Sequence, residues 1–202
     1  MTADLETEQK IMAAARRVFL AQGFDGARIR QIADEAGVNL ALVNYYFTSK
    51  EDLFKRIYLE TFHTFLGRLA QLLNEATPLE VKIWKIVDRY TDFLLDNPKL
   101  PAFVLSQQRP ETNDLYENLE IRSLLESSSF HRQLVDEAAQ GRIRPIAPLQ
   151  VLMTIVGCIV FPVMAQPLVA SLGALDDAGY RQFMEDRKLF VPDMIMAYLK
   201  NV

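Results

Sequence analysis

Apolar residues recur along this chain at helical spacing, and short polar or Gly/Pro breaks separate one helix from the next. Between Glu8 and Gln22 they fall at Ile11, Ala14, Ala15, Val18 and Phe19, the stripe of one buried helix face, and Gly23 behind them is a terminator. The pattern predicts a short helix over 29–36 stopped by Gly37, then another over 40–46. Thr48 and Glu51 have capping-box spacing and open a long helix carrying Leu53, Phe54, Ile57, Tyr58, Phe62, Phe65, Leu69 and Leu73. A helix apolar over so much of its circumference is buried on several sides. Thr77-Pro78 opens the next helix, and Asn97-Pro98 stops it. Further helix is expected after Pro101 up to Arg109-Pro110, then from about Leu115 to Gln140 with an interruption near Ser127-Ser128-Ser129. Two more are expected over about 148–170 and 177–200. No stretch alternates with a period of two, so the fold class is all-α. The expected organisation is a three-helix helix-turn-helix domain over 1–50 and a larger helical domain over 51–202.

Composition sharpens this picture. Half the residues are apolar and 24% are charged, enough to build a core and too apolar for a disordered chain. A single cysteine, Cys158, excludes a disulfide framework, and its neighbours Ile155, Val156, Ile159 and Val160 suit an inert buried thiol. The acidic, polar start Met1-Thr2-Ala3-Asp4 does not read as a secretory signal, so a cytoplasmic location is expected. Charge is unevenly spread: the 31 residues 145–175 contain no Asp, Glu, Lys, Arg or His. That run is long enough to span a bilayer. Pro162 and Pro167 interrupt it and Gln150 and Gln166 make it polar in places, so a seam between two subunits explains it better than a membrane. With the last helix it would form an intersubunit four-helix bundle, through Met153, Val156, Val160 and Met164 on one side and Phe190, Met194 and Tyr198 on the other.

The segment from Ile29 to Leu53 carries the chemistry. Ala33 is small where two helices cross, and Gly37 supplies the positive φ of a tight turn. Val38 follows the turn as a buried residue, and Val43 faces inward towards Ile32 and Ala33. Asn39, Leu40, Ala41, Asn44 and Tyr45 are then left facing outward, which is how a helix N-terminus enters a major groove.

Ile29-Arg30-Gln31-Ile32-Ala33-Asp34-Glu35-Ala36-Gly37-Val38-Asn39, followed by Val43-Asn44-Tyr45-Tyr46-Phe47-Thr48-Ser49-Lys50-Glu51-Asp52-Leu53, resembles the TetR family of transcriptional regulators. The resemblance covers about the first quarter of the chain. It implies a homodimer that binds double-stranded operator DNA, commonly released when a small-molecule effector enters the C-terminal domain. Asn44 then reads base edges and Tyr45 meets a phosphate or a thymine methyl. Asn39 either reads a base or only caps its helix. Lys50 meets a phosphate at the start of the long helix. Of Tyr46 and Phe47, Phe47 is the better core candidate, leaving Tyr46 to the DNA face. The family usually carries hydroxyl residues where this chain has Ala27-Arg28. Arg28 with Arg30 is expected to replace them as an ionic phosphate clamp.

The total charge of −4 tests that reading, and residues 1–55 hold seven Lys/Arg against eight Asp/Glu. Positives clustered at Arg28, Arg30 and Lys50 and doubled by symmetry reconcile the two. In the larger domain, Phe62, Phe65, Trp84, Tyr90, Phe93, Phe103, Tyr116 and Phe130 either line an effector pocket or fill a core. Arg109 and Arg122 are candidates to pair an anionic ligand. No Gly-x-Ser-x-Gly elbow, phosphate loop or His pair at metal spacing occurs, and His63 and His131 stand apart, so no enzyme activity, metal or cofactor is expected. The alternatives to a ligand-released repressor are a helical ligand-binding protein without DNA binding, and a membrane-associated protein anchored through 145–175.

Overall fold

The computed structural model describes residues 2–105 and 121–201, and every regular element among them is a helix. They are α1 (Thr2–Gly26), α2 (Ile29–Ala36), α3 (Leu40–Tyr46), α4 (Lys50–Asn74), α5 (Leu79–Asp96) and α6 (Leu100–Leu105). After 106–120 come α7 (Ile121–Glu126), α8 (Ser129–Ala139), α9 (Pro148–Met164), α10 (Gln166–Gly173) and α11 (Asp177–Lys200). Arg109, Pro110, Leu115 and Tyr116 lie outside the described residues.

Two compact units divide the described chain: 2–65 with 102–105, and 66–101 with 121–201. The expected boundary after residue 50 therefore moves into α4. The reason lies in the rings of its first half: Phe54 meets Phe19 and Phe24 edge-on, each at 5.0 Å between centroids, and Phe103 at 5.6 Å. The Tyr58 hydroxyl donates to the Val104 carbonyl at 3.2 Å, tying α6 into the same core. Around these rings Ile11, Ala14, Ala15, Phe19, Ile32, Ala33, Val43, Phe47, Leu53 and Ile57 are all buried.

Two glycines set the turns of this unit. Gly23, at φ +68°, breaks α1 before its last turn. Gly37, at φ +67° and ψ 31°, ends α2 while the Val38 N–H bonds the Ala33 carbonyl at 3.0 Å. Val38 itself is only half-buried, not enclosed as expected, because it lies outside both helices on the turn. Leu40 is likewise half-buried. The capping box also shifts by one residue. Ser49, not Thr48, accepts the Asp52 N–H at 3.1 Å, and α4 starts at Lys50.

In the second unit α5 packs on α11 and α9. Its core includes Ile83, Ile86, Val87, Tyr90 and Leu94 of α5 with Tyr180, Met184, Val191, Ile195 and Leu199 of α11. Lys188 is buried in this seam and holds Asp92, Glu185 at 2.9 Å and Asp88 at 3.6 Å. Burial alone would lower its pKa. The bonds to Asp92 and Glu185 outweigh burial and hold it above the usual lysine range.

The helix expected over about 148–170 is two helices, α9 and α10, meeting at Ala165 with a bend of 80°. Pro162 is accommodated inside α9, whereas Pro167 starts α10, where a missing N–H costs nothing. No single helix among the described residues is long and apolar enough to cross a membrane. Only the bent pair passes that test together.

Candidate nucleic-acid interface

The interface is built on α2, α3 and the first turn of α4. Ile32, Ala33 and Val43 close the space between α2 and α3, so the opposite faces of those helices are free. On α3, Ala41, Asn44 and Tyr45 share that outer face at the i, i+3, i+4 spacing, and Tyr45 is 79% exposed. Tyr46 is half-buried and stands edge-on to Tyr45 at 5.1 Å, while Phe47 turns into the core. Leu42 is also exposed, although the sequence reading left it off the outer face. Its place three residues before Tyr45 was the available signal.

Asn39 has the cap role: its Oδ1 accepts the Leu42 N–H at 2.8 Å and satisfies a free donor of α3. The side chain is exposed.

Arg28 occupies the N-cap position of α2 with an extended backbone and no side-chain capping bond. Ala27 before it is buried, so its small methyl is used for packing where a hydroxyl would have to be satisfied. Arg28 and Arg30 are both exposed. The other arginines of this unit are committed elsewhere: Arg16 to Glu60 at 2.6 Å, Arg17 to Glu35 at 2.8 Å, and Arg56 to Glu8 at 3.2 Å and Asp52 at 3.6 Å. Arg28 and Arg30 take part in no ion pair among the described residues. Four acidic side chains of the unit are thus paired internally with three of its arginines, which leaves the other two arginines, Arg28 and Arg30, to act on something outside. Composition alone could not show this.

Lys50 begins α4 with its Nζ 4.4 Å from the centroid of Phe24. That cation–π contact limits where the ammonium can go and keeps it beside the free N–H groups of the helix start. Glu51 is held below the usual carboxylate range by a backbone hydrogen bond first, then by Ser49, with Lys50 adding to both. A carboxylate whose charged form is favoured beside Lys50 limits how many phosphates this corner can take.

The aromatic candidates for an effector pocket are divided between the two units. Phe62, Phe65 and Phe103 belong to the first unit, and Trp84, Tyr90, Phe93 and Phe130 to the second. Tyr90 and Phe130 have no exposed surface, and burial pushes the Tyr90 phenol far above its usual value. Phe62 and Phe103 are buried too. Trp84 keeps exposed surface, and Phe93 borders a cleft of about 430 Å³ with Arg68, Gln71, Leu72, Glu75, Arg89 and Asp96. Arg122 pairs with Glu126 at 2.7 Å on the surface of α7.

Of the residues expected at a subunit seam, Met153, Met164, Phe190, Met194 and Tyr198 are exposed along α9 and α11, and Val156 is half-buried. Val160 is the exception. At 7% exposure it points into its own unit, because it lies beside the buried Ile159 and about a turn before the buried Val163 on the inner face of α9.

Residues 11–57 match the family model described as bacterial regulatory proteins, tetR family. The transcriptional repressor NicS of Pseudomonas putida is 31% identical over 140 residues, which are 69% of this chain and span 61% of the length of NicS. The repressor AcnR of Corynebacterium efficiens is 27% identical over 150 residues, 73% of this chain and 74% of its own. Among solved structures, the regulator FadR of Bacillus subtilis in complex with stearoyl-CoA superposes with a TM-score of 0.64 at 18% identity. That match covers 91% of this chain and 97% of FadR. A TetR-family regulator of Haemophilus influenzae reaches 0.67 at 14% identity over the whole of both chains. At such identities these structures speak for the fold. With the family match laid over α1 to α4 and the outward face of α3 in place, the chain belongs to the TetR family of bacterial regulatory proteins.

Proposed function

We propose that this chain is a sequence-specific transcriptional repressor that binds operator DNA as a homodimer and leaves it when a small-molecule effector binds. The observation that carries the reading is the outer face of α3, with Asn44 and Tyr45 free and Arg28 and Arg30 beside it outside every described ion pair. In this reading α3 enters the major groove. Asn44 reads an adenine edge, Tyr45 and Tyr46 contact the backbone or a thymine methyl, and Leu40, Ala41 and Leu42 give apolar contact. Arg28, Arg30 and Lys50 contact phosphates, and Asn39 holds the helix end that presents them.

Each protomer has few cations to offer, so affinity depends on two half-sites read together, about 34–36 Å or a multiple of it apart. Dimerisation follows from the exposed apolar side chains of α9 and α11. The effector is placed in the second unit, where Trp84 and Phe93 retain surface that a ligand can reach. FadR, complexed with stearoyl-CoA, is an example of the same fold holding an amphipathic acyl ligand. Release requires the effector to bind the DNA-free form more tightly than the DNA-bound form.

The test is a titration of the purified chain against DNA flanking its own gene, read by fluorescence anisotropy with unrelated DNA as competitor. The account expects a specific complex of two chains that Lys50→Glu weakens on every sequence tried. Equal affinity for the flanking and unrelated DNA, with a folded protein, would remove the reading.

A further inference from the structure

The cleft of about 430 Å³ that Phe93 borders lies wholly within the second unit, between the end of α4 and the second half of α5. Its charges are not all committed to one another. Glu75 takes Lys85 at 2.7 Å and Arg89 as a second partner. The Lys85 hydrogen bond first, and the Arg89 charge after it, hold the Glu75 carboxyl below the usual carboxylate range against the opposing effect of burial. That corner is a closed ion triad. Arg68 and Asp96 each stand seven residues, about two helical turns, from that pair, Arg68 from Glu75 and Asp96 from Arg89. They line the same cleft and are exposed, yet join no ion pair among the described residues, with each other or with a third group. The buried Leu72 and the half-buried Phe93 give the cleft its apolar wall. One free cation, one free carboxylate and an apolar surface thus share one recess.

We propose that this cleft takes a free α-amino acid with an apolar side chain, its carboxylate on Arg68, its ammonium on Asp96 and its side chain against Leu72 and Phe93. The proposal rests on the effector-released reading above and names the class of ligand. A guanidinium fork holds a carboxylate through two parallel hydrogen bonds, and a carboxylate accepts from an ammonium. A ligand carrying both groups bridges two side chains that do not pair directly. A plain carboxylate would meet Arg68 but face the ionised Glu75 and Asp96. A plain amine would meet Asp96 but face Arg68 and Arg89. A zwitterion satisfies both free charges and adds no net charge to the cleft, so the surrounding charges reject its singly charged relatives. At about 430 Å³ the cleft stands at the small end of ligand sites, a size for a molecule of this kind and not for a long acyl chain.

The experiment uses the full chain without DNA, so its failure is separate from failure of the operator reading, which the anisotropy titration decides. Isothermal titration measures L-leucine, then 4-methylpentanoate and 3-methylbutylamine, which are leucine without its ammonium and without its carboxylate. The expected result is saturable binding of L-leucine, with the Kd raised about tenfold or more for each analogue, the size of one lost hydrogen bond to a charged group. Arg68→Gln and Asp96→Asn each raise the leucine Kd by a similar factor. Both side chains are exposed, so thermal melts of the free variants should match wild type. A crossed comparison separates contact from structural support. In Arg68→Gln the loss of the ligand carboxylate should cost little more, and in Asp96→Asn the loss of the ammonium should cost little more. Failure of both L-leucine and L-phenylalanine to bind at about 10 mM, with no stabilisation in a melt, overturns the proposal. Equal affinity for 4-methylpentanoate makes the cleft an anion site, equal affinity for 3-methylbutylamine a cation site, and either overturns the zwitterion. Leucine binding that survives both substitutions unchanged places the amino acid elsewhere and overturns it as well.

Discussion

Replacing Arg28 by alanine separates ionic DNA contact from structural support. Arg28 is exposed, makes no capping bond with its side chain and joins no described ion pair, so its loss should leave folding stability within about 0.5 kcal/mol. If it contacts one phosphate in each protomer, the dimer loses two contacts. The slope of log K against log salt then becomes shallower by about 1.8, from roughly 0.9 per phosphate. Between 50 and 200 mM salt, about a fourfold change, the ratio of wild-type to variant affinity should shrink by about twelvefold. Arg17→Ala is the control. It removes a cation of the same unit that is already paired with Glu35 at 2.8 Å, and should leave the slope as it was. Anisotropy titrations at four salt concentrations measure both slopes, and thermal melts verify folding. An Arg28→Ala slope equal to wild type, with the fold intact, refutes the phosphate clamp whatever happens to affinity at one salt.

Asn44→Ala should cost about 1–3 kcal/mol per half-site and relax base preference chiefly at one position, as read by selection from a randomised operator. Gly37→Ala forces a side chain into φ +67° and should destabilise the first unit by about 1–2 kcal/mol, seen as earlier loss of helix on heating. Nothing lies within 4 Å of the added methyl, so the cost is conformational and an asparagine there should recover part of it. Lys188→Ala leaves Asp88, Asp92 and Glu185 facing one another without their cation. These carboxylates are about half-exposed, so solvent screening holds the loss to about 1–2 kcal/mol. The raised lysine pKa means this contribution is fully present below the ordinary value of 10.5 and is lost as pH climbs through the folded value. Urea melts should therefore separate wild type from variant at pH 7–9 and bring them together in strong alkali.

Local rules made the reading head legible. Helices α2 and α3 begin and end where the pattern put them, because Gly37 and Asn39 act within a few residues of themselves. The cap of α4 was one residue off, since Thr48 and Ser49 are chemically equivalent candidates and only backbone geometry chooses between them. Helical spacing shows that a residue is apolar on a face, but not which body covers that face. Spacing therefore places Val160 at an intersubunit seam when it fills its own core, and leaves Tyr90 and Phe130 open between pocket wall and core, where both are fully buried. The interruption expected at Pro162 and Pro167 falls between them, at Ala165, because Pro162 is tolerated inside α9 and Pro167 lies in the first turn of α10. The clamp expected at Arg28 and Arg30 gains support that sequence could not give, because Arg16, Arg17 and Arg56 are occupied by acidic partners far away in the chain.

The central claim is that two copies of this chain read one DNA site through α3, and hydroxyl-radical footprinting on the DNA flanking its gene addresses it most directly. The account predicts two protected half-sites related by a two-fold axis and one or more helical turns apart, with protection lost in Arg28→Ala/Arg30→Ala at moderate salt. Uniform or absent protection by a protein shown to be a folded dimer would contradict it.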